Sequence, residues 1–239
     1  MAGNRFLIVN ADDFGQSLGV NRGIVEAHEH GIVTSASLMV RWPAAAEAAA
    51  YAQVHLDLSL GLHFDVGEWV FRDGAWARLY EVVPADDRSA VEEEVARQLA
   101  AFRGLVGKDP THIDSHQHVH LREPVRSVVI ETACKLGVPL RSCTPAISYC
   151  GCFYGQTAEG SCYPDGIGVA RLVKILAGLP PGWTELGCHP GDATDLDTMY
   201  RAEREQEVKA LCDCRVRQAI VEMGIELRSF GAIAAVRGL

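Results

Sequence analysis

The chain has 239 residues, 48% of them apolar, and a formal net charge of −9. That length supports one large core, and an acidic balance with no long run of Lys and Arg argues against nucleic acid as a partner. No apolar stretch reaches membrane-spanning length and no secretory signal precedes the first strand, so no transmembrane segment and a cytoplasmic location are expected.

In chain order, "FLIVNA" reads as a strand, and "GVNRGIVEAHEHG" as a helix with Val20, Ile24 and Ala27 on its apolar side and Gly31 as its C-cap. "TSASLMV" is strand-like; "PAAAEAAAYAQV" is a helix with Pro43 placed for its first turn, and "LSLGLHFDV" is another strand. Residues 67–87, with Trp69, Phe71, Trp76 and Tyr80, read as a loop or partial lid. "SAVEEEVARQLAAFRGLVG" is a helix opened by a capping box of Ser89 and Glu92. "THIDSH" is a strand, Pro124 starts the helix "PVRSVVIETACKLG", and "PLRSC" is a short strand before a Cys-rich loop over 149–168. "GVARLVKILAGL" is a helix, "TELGCH" a strand, "MYRAEREQEVKALCDCRVRQAIVEMG" one or two helices, and "IELRSF" a final strand.

Alternating strands and helices predict a parallel α/β sheet. The first strand is followed by "DDFG" and not by a G-x-G-x-x-G turn, so a distorted (β/α) TIM-like barrel in a single domain over 1–239 is preferred to a Rossmann sheet. Polar residues gather at strand carboxyl ends: Asp12, Asp13, His63, the "HIDSHQHVH" group, Arg141 and His189. Barrel enzymes place their chemistry there.

Asp12 and Asp13 repel each other, and a divalent cation would offset that repulsion. In an extended strand the two side chains point to opposite sides, so one can bind metal while the other faces water or substrate. His112, Asp114, His116, His118 and His120 share a face if extended, whereas His112, His116 and His120 align if helical; periodicity alone does not choose the ligand. The eight cysteines, with two C-x-C spacings and no C-x-x-C, are expected to be free thiols. Asp192, Asp195 and Asp197 read as turn residues, and Trp42, Trp69, Trp76, Tyr149, Phe153, Tyr154 and Tyr163 as candidates for sugar stacking or for packing.

"IVNADDFG", "GIVTSASLMV", "GLHF", "PTHIDSHQHVH" and "ELGCHPG" resemble the successive motifs of the YdjC-type carbohydrate deacetylases, from about Arg5 to about Gly191. The resemblance implies a distorted (β/α) barrel and removal of acetyl from N-acetylated sugars with one divalent metal ion, zinc or magnesium. It implies that Asp13, His63 and His116 bind the metal, that Asp12 is general base toward the water it activates, and that His189 is general acid. Arg141, His118 and His120 are candidates for substrate contact or for support behind the ligands. The implied substrate is an N-acetylated sugar, oligosaccharide or glycolipid, and a homo-oligomer is the default assembly. Rival readings are another metal-dependent barrel enzyme, such as a sugar isomerase or phosphoesterase, and a non-catalytic metal- or sugar-binding protein.

Overall fold

The computed structural model describes residues 3–192, 194–196 and 198–234. Strand β1 (Arg5–Phe14) runs through the centre of a seven-stranded parallel sheet. Its apolar run is buried on both faces, as central parallel strands require. On one side follow β2 (Ser35–Leu38), β3 (Ser59–Phe64) and β6 (Ile113–Ser115); on the other stand β8 (Gly182–Cys188) and β7 (Ile147–Cys150). Strand β9 (Ile225–Leu227) pairs with the start of β1.

Helices α1 (Leu18–Glu29), α2 (Ala45–Val54), α3 (Arg88–Val106), α4 (Val125–Leu136), α5 (Val169–Ala177), α6 (Ala202–Leu211), α7 (Cys214–Glu222) and α8 (Phe230–Ala234) complete the architecture. A hydrophobic cluster running from Leu7 to Ile225 joins sheet and helices. The expected barrel is present as a curled half-barrel. Among the described residues no strand pairing joins β6 to β7, and the edge beyond β6 carries one bridge, Ile113 to Leu140. That bridge is all that forms of the strand expected at "PLRSC", because Ser142 takes a left-handed φ of 58° and turns the chain out of the sheet.

Several local expectations are corrected. Residues 67–87 hold an antiparallel hairpin, β4 (Gly67–Arg72) with β5 (Ala75–Glu81). Asp73 and Gly74, both at positive φ, form its two-residue turn, and Asp-Gly is a strong hairpin signal. Asp87 caps α3 by accepting from the Ala90 N–H, so Ser89 lies inside the helix. His30 ends α1 in place of Gly31, and Pro43 stands one residue ahead of Ala44, the cap of α2. The polar segment read as one or two helices is two, α6 and α7, with Asp213 capping the second. The Cys-rich stretch begins as β7 and includes a 3-10 turn over Pro164–Gly166. All eight cysteines are free thiols.

Asp192 accepts from the Thr194 N–H, in keeping with a turn role, whereas Asp195 reaches across the fold and accepts from Ser17 Oγ and the Gly19 N–H at the start of α1. Asp197 lies outside the described residues. No helix is long and apolar enough to cross a membrane among the described residues.

Inside the half-barrel Gly61 on β3 lies against the His112 ring, which stacks on Phe230 with centroids 3.8 Å apart. A Cβ at position 61 would overlap that ring. Gly61→Ala is therefore expected to destabilise the fold by about 1–3 kcal/mol through overpacking. Urea denaturation checks this, and an unchanged midpoint would contradict the packing.

Candidate active site

Asp12 and Asp13 end β1 where its pairing with β2 becomes irregular between Ala11 and Phe14. Asp13 adopts φ 68°, a left-handed conformation that Asp tolerates better than most residues. This departs from the extended geometry in which adjacent side chains point apart, and both carboxylates line one cavity.

Asp13 Oδ1 lies 3.2 Å from His63 Nε2 and 3.1 Å from His116 Nδ1. The three ligand atoms of Asp13, His63 and His116 all fall within 4.8 Å of one another. His63 stands on β3; His116 lies just past β6, at the start of a 3-10 segment over His116–Leu121. Gln117 and His118 take φ of 49° and 53°, which ends the strand alternation after Ser115. Hence His112 and Asp114 share the inward face, whereas His118 and His120 do not extend it.

Burial opposes ionisation of Asp13, but Arg204 and the two imidazoles outweigh it and hold the carboxyl well below its usual range. Burial likewise disfavours an imidazolium at His63, yet Asp114 and Asp13 raise it to about 9; Asp13 and Glu68 overcome burial to raise His116 strongly. The pocket thus attracts positive charge. Two imidazoles and one carboxylate form a donor set that suits a divalent ion, and His116 Nε2 is a buried atom without a hydrogen-bond partner.

Behind these groups lies a buried ion cluster. Arg141 Nη1 and Nη2 donate to Asp12 Oδ2 and Oδ1 at 2.6 and 2.7 Å, Nη2 lies 2.8 Å from Asp114 Oδ2, and Nε donates to Glu185 Oε1 at 2.7 Å. Burial opposes ionisation of Asp12, and Arg141 more than offsets it, leaving the carboxyl below its usual range. Burial pushes Glu185 up to about 7. Asp114 Oδ1 holds His63 Nδ1 at 2.7 Å, which fixes the ring plane and leaves Nε2 toward Asp13. Asn10 Nδ2 ties Asp12, Asp114 and Ser37 together.

Arg141 is buried, is not among the cavity-lining residues, and stands behind Asp12. His118 lines the cavity, with Nε2 3.4 Å from the Tyr149 hydroxyl. His120 is fully buried, bonded to Ser115 Oγ and to the Arg141 carbonyl, and supports the wall from outside the cavity.

On the far side His189 Nε2 lies 3.8 Å from Asp12 Oδ2, and the ring packs beside Tyr154 and Tyr200. Burial lowers His189 to about 4, so its resting form at neutral pH is the uncharged imidazole. Its backbone N–H donates to buried Glu207, which also accepts from the Tyr200 hydroxyl. Arg204 Nη2 donates to Asp13 Oδ2 at 2.7 Å. Asn10, Glu68, Glu185, Arg204 and Glu207 extend the set read from the sequence, and Asp114, placed there with the "HIDSHQHVH" group, gains a definite partner in His63. Asn10 and Glu185 carried a usable signal, since each interrupts a buried apolar strand; Arg204 and Glu207, on a helix polar all round, carried none.

The cavity encloses about 640 Å³, and its walls include Trp69 and Trp76 of the hairpin, Tyr149, Phe153, Tyr154 and Tyr200. Trp42 instead packs edge-on against Tyr80, and Tyr163 is not part of the wall.

A curled parallel sheet that opens at its carboxyl edge onto a carboxylate–imidazole cluster gives the chain a half-barrel α/β fold. The fold matches a family 4 carbohydrate esterase from Streptomyces lividans in complex with acetate (TM-score 0.55, 15% identity, 95% of this chain and 93% of that one). A model described as YdjC-like protein matches residues 6–222, and the chain belongs to that family. It is 35% identical over 244 residues to a carbohydrate deacetylase of Geobacillus stearothermophilus, across 95% of this chain and 97% of that one. It is 32% identical to a chitooligosaccharide deacetylase of Serratia marcescens, across 95% and 98%. The crystal structure of a candidate cellobiose-phosphate cleavage protein from Enterococcus faecalis V583 superposes with TM-score 0.77 at 25% identity, across 96% and 99%.

Burial raises Glu207 to about 8. A folded pKa above the unfolded value near 4.5 means that the native state holds a proton the unfolded state has lost. Stability from this group is then full below about 4.5 and lost as pH rises through about 8. Glu207→Gln is expected to remove that decline. Denaturant titrations of both proteins between pH 5 and pH 8 check it, and parallel pH profiles would contradict it.

Proposed function

We propose that this chain is a metal-dependent carbohydrate N-deacetylase, acting as one catalytic domain on the acetamido group of an N-acetylated saccharide or glycolipid. The carrying observation is the convergence of Asp13, His63 and His116 beside Asp12 in an aromatic-walled cavity. The deacetylase relatives, similar along nearly the whole chain, support the substrate class.

Asp13, His63 and His116 are the residues that hold the ion, and two imidazoles favour zinc over magnesium. A divalent ion bound there supplies Lewis-acid activation of water and of the amide carbonyl. Asp12, clamped by Arg141, accepts the proton of the attacking water. As the C–N bond breaks, His189 delivers a proton to the departing sugar amine, leaving acetate. Because His189 rests uncharged, the proton it gives is one received during turnover, and the 3.8 Å gap from Asp12 Oδ2 to His189 Nε2 is the short route for it. The aromatic walls exclude water and offer flat apolar surfaces to sugar rings. His118 beside Tyr149 is placed to contact substrate.

The test is acetate release from N-acetylglucosamine oligomers and N-acetylated glycolipids, with and without chelator. Acetate is expected from at least one substrate and is expected to be lost on metal removal. Asp12→Asn should lower kcat about 100- to 10,000-fold with zinc affinity retained. Absence of acetate from every substrate would overturn the activity, and near-normal turnover by the variant would overturn the base assignment.

A further inference from the structure

The hairpin of β4 and β5 forms its own two-stranded sheet, and β5 is exposed along most of its length. Strand β4 instead packs inward, and one of its buried residues is a carboxylate: Glu68 is only 5% exposed. A buried carboxylate requires polar partners. Its partners are Thr198, whose Oγ1 donates to Oε1 at 3.4 Å, and His116, whose Nε2 lies 3.6 Å from Oε2. That His116 nitrogen is the one without a hydrogen-bond partner, and its other nitrogen faces Asp13 Oδ1. The next residue of the hairpin is pinned to the next residue of the His116 segment. The Gln117 side chain accepts from the Trp69 N–H at 2.9 Å and donates to the Trp69 carbonyl at 2.7 Å. The hairpin therefore meets the 116–117 segment through one two-fold amide clasp and one carboxylate–imidazole contact that is not yet closed.

We propose that Glu68 is a positioning residue that couples docking of the hairpin to occupation of the Asp13–His63–His116 group. This rests on the metal reading given above. An ion held by His116 Nδ1 would take the place of the proton at that nitrogen, fix the ring, and leave its remaining N–H on Nε2, facing Glu68. With the ring so fixed and its N–H polarised, the contact at 3.6 Å closes into a charge-assisted hydrogen bond that holds the hairpin to the cavity. By linkage, a docked hairpin in turn tightens the hold on the ion. The two imidazoles are accordingly held in opposite senses: Asp114 fixes His63 through Nδ1, and Glu68 holds His116 through Nε2. Asp114 belongs to the rigid sheet, whereas Glu68 belongs to the element that carries Trp69 and Trp76 into the cavity. Binding of the ion and closure of the aromatic wall become one event.

The full chain, stripped by chelator, is titrated with zinc while two quantities are read: zinc affinity by competition with a chromogenic chelator, and amide hydrogen exchange over residues 67–81. In the wild type, zinc is expected to slow exchange across the hairpin. Glu68→Gln, which keeps the shape and removes the charge, should weaken zinc about 10- to 100-fold and abolish the slowing. Gln117→Ala, which leaves every proposed ligand in place, should speed hairpin exchange and weaken zinc by reciprocity. Wild-type zinc affinity in Glu68→Gln, or hairpin exchange indifferent to zinc in a wild type that binds it, would overturn the coupling. Zinc affinity unchanged by His116→Ala would instead overturn the metal reading beneath it.

Discussion

One buried guanidinium governs the interior of this half-barrel. Arg141 stands among Asp12, Asp114 and Glu185, each within 2.8 Å, so three carboxylates occupy a space that a sheet of this kind ordinarily fills with aliphatic side chains. Removing that charge would leave them buried and uncompensated, which is far costlier than never having placed them there. Through Asp12 the guanidinium orients the proposed base. Through Asp114 it orients His63, and through His63 the proposed metal group. The chemistry of the cavity and the stability of the sheet beneath it thus depend on one side chain that lies outside the cavity.

Two breaks in regular backbone aim the remaining groups. The left-handed turn at Asp13 brings the second carboxylate round to the side its neighbour already faces. The paired left-handed residues Gln117 and His118 stop β6 from continuing, fold the following segment over the sheet edge, and leave His116 at its start opposite Asp13. Positive φ at residues other than glycine is unfavourable and collects at functional sites, where surrounding contacts hold it in place. Here the holding contacts are identifiable: Arg204 and two imidazoles on Asp13, and the Trp69 backbone on Gln117.

The cavity joins groups of opposite proton affinity at close range. Asp12 is held ionised, while burial keeps His189, 3.8 Å away, uncharged and raises Glu207 beyond it. Burial drives the latter two shifts, and one cation, Arg141, reverses its effect at Asp12. A single low-dielectric pocket can therefore keep an ionised carboxylate and an uncharged imidazole side by side without either neutralising the other.

The sequence by itself determined the alternation of strand and helix, a parallel barrel-like α/β class and the residues gathered at the carboxyl edge; that the barrel stays half open came from the structure. Apolar runs and carboxyl-end placement are local properties, and Asp12, Asp13, His63, His116 and His189 follow from them with the family motifs. The hairpin was also legible, in Asp73-Gly74, but its aromatic residues drew the reading toward a loop. Only the tertiary structure decided that Asp13 turns to join Asp12, that Arg141 clamps Asp12 from behind, and that Glu68, Arg204 and Glu207 stand around the same cluster. Sequence patterns recognise an inward face by its apolar residues. In α6 the inward face carries Glu203, Arg204 and Glu207, because what it packs against is itself charged, and there the pattern points the wrong way.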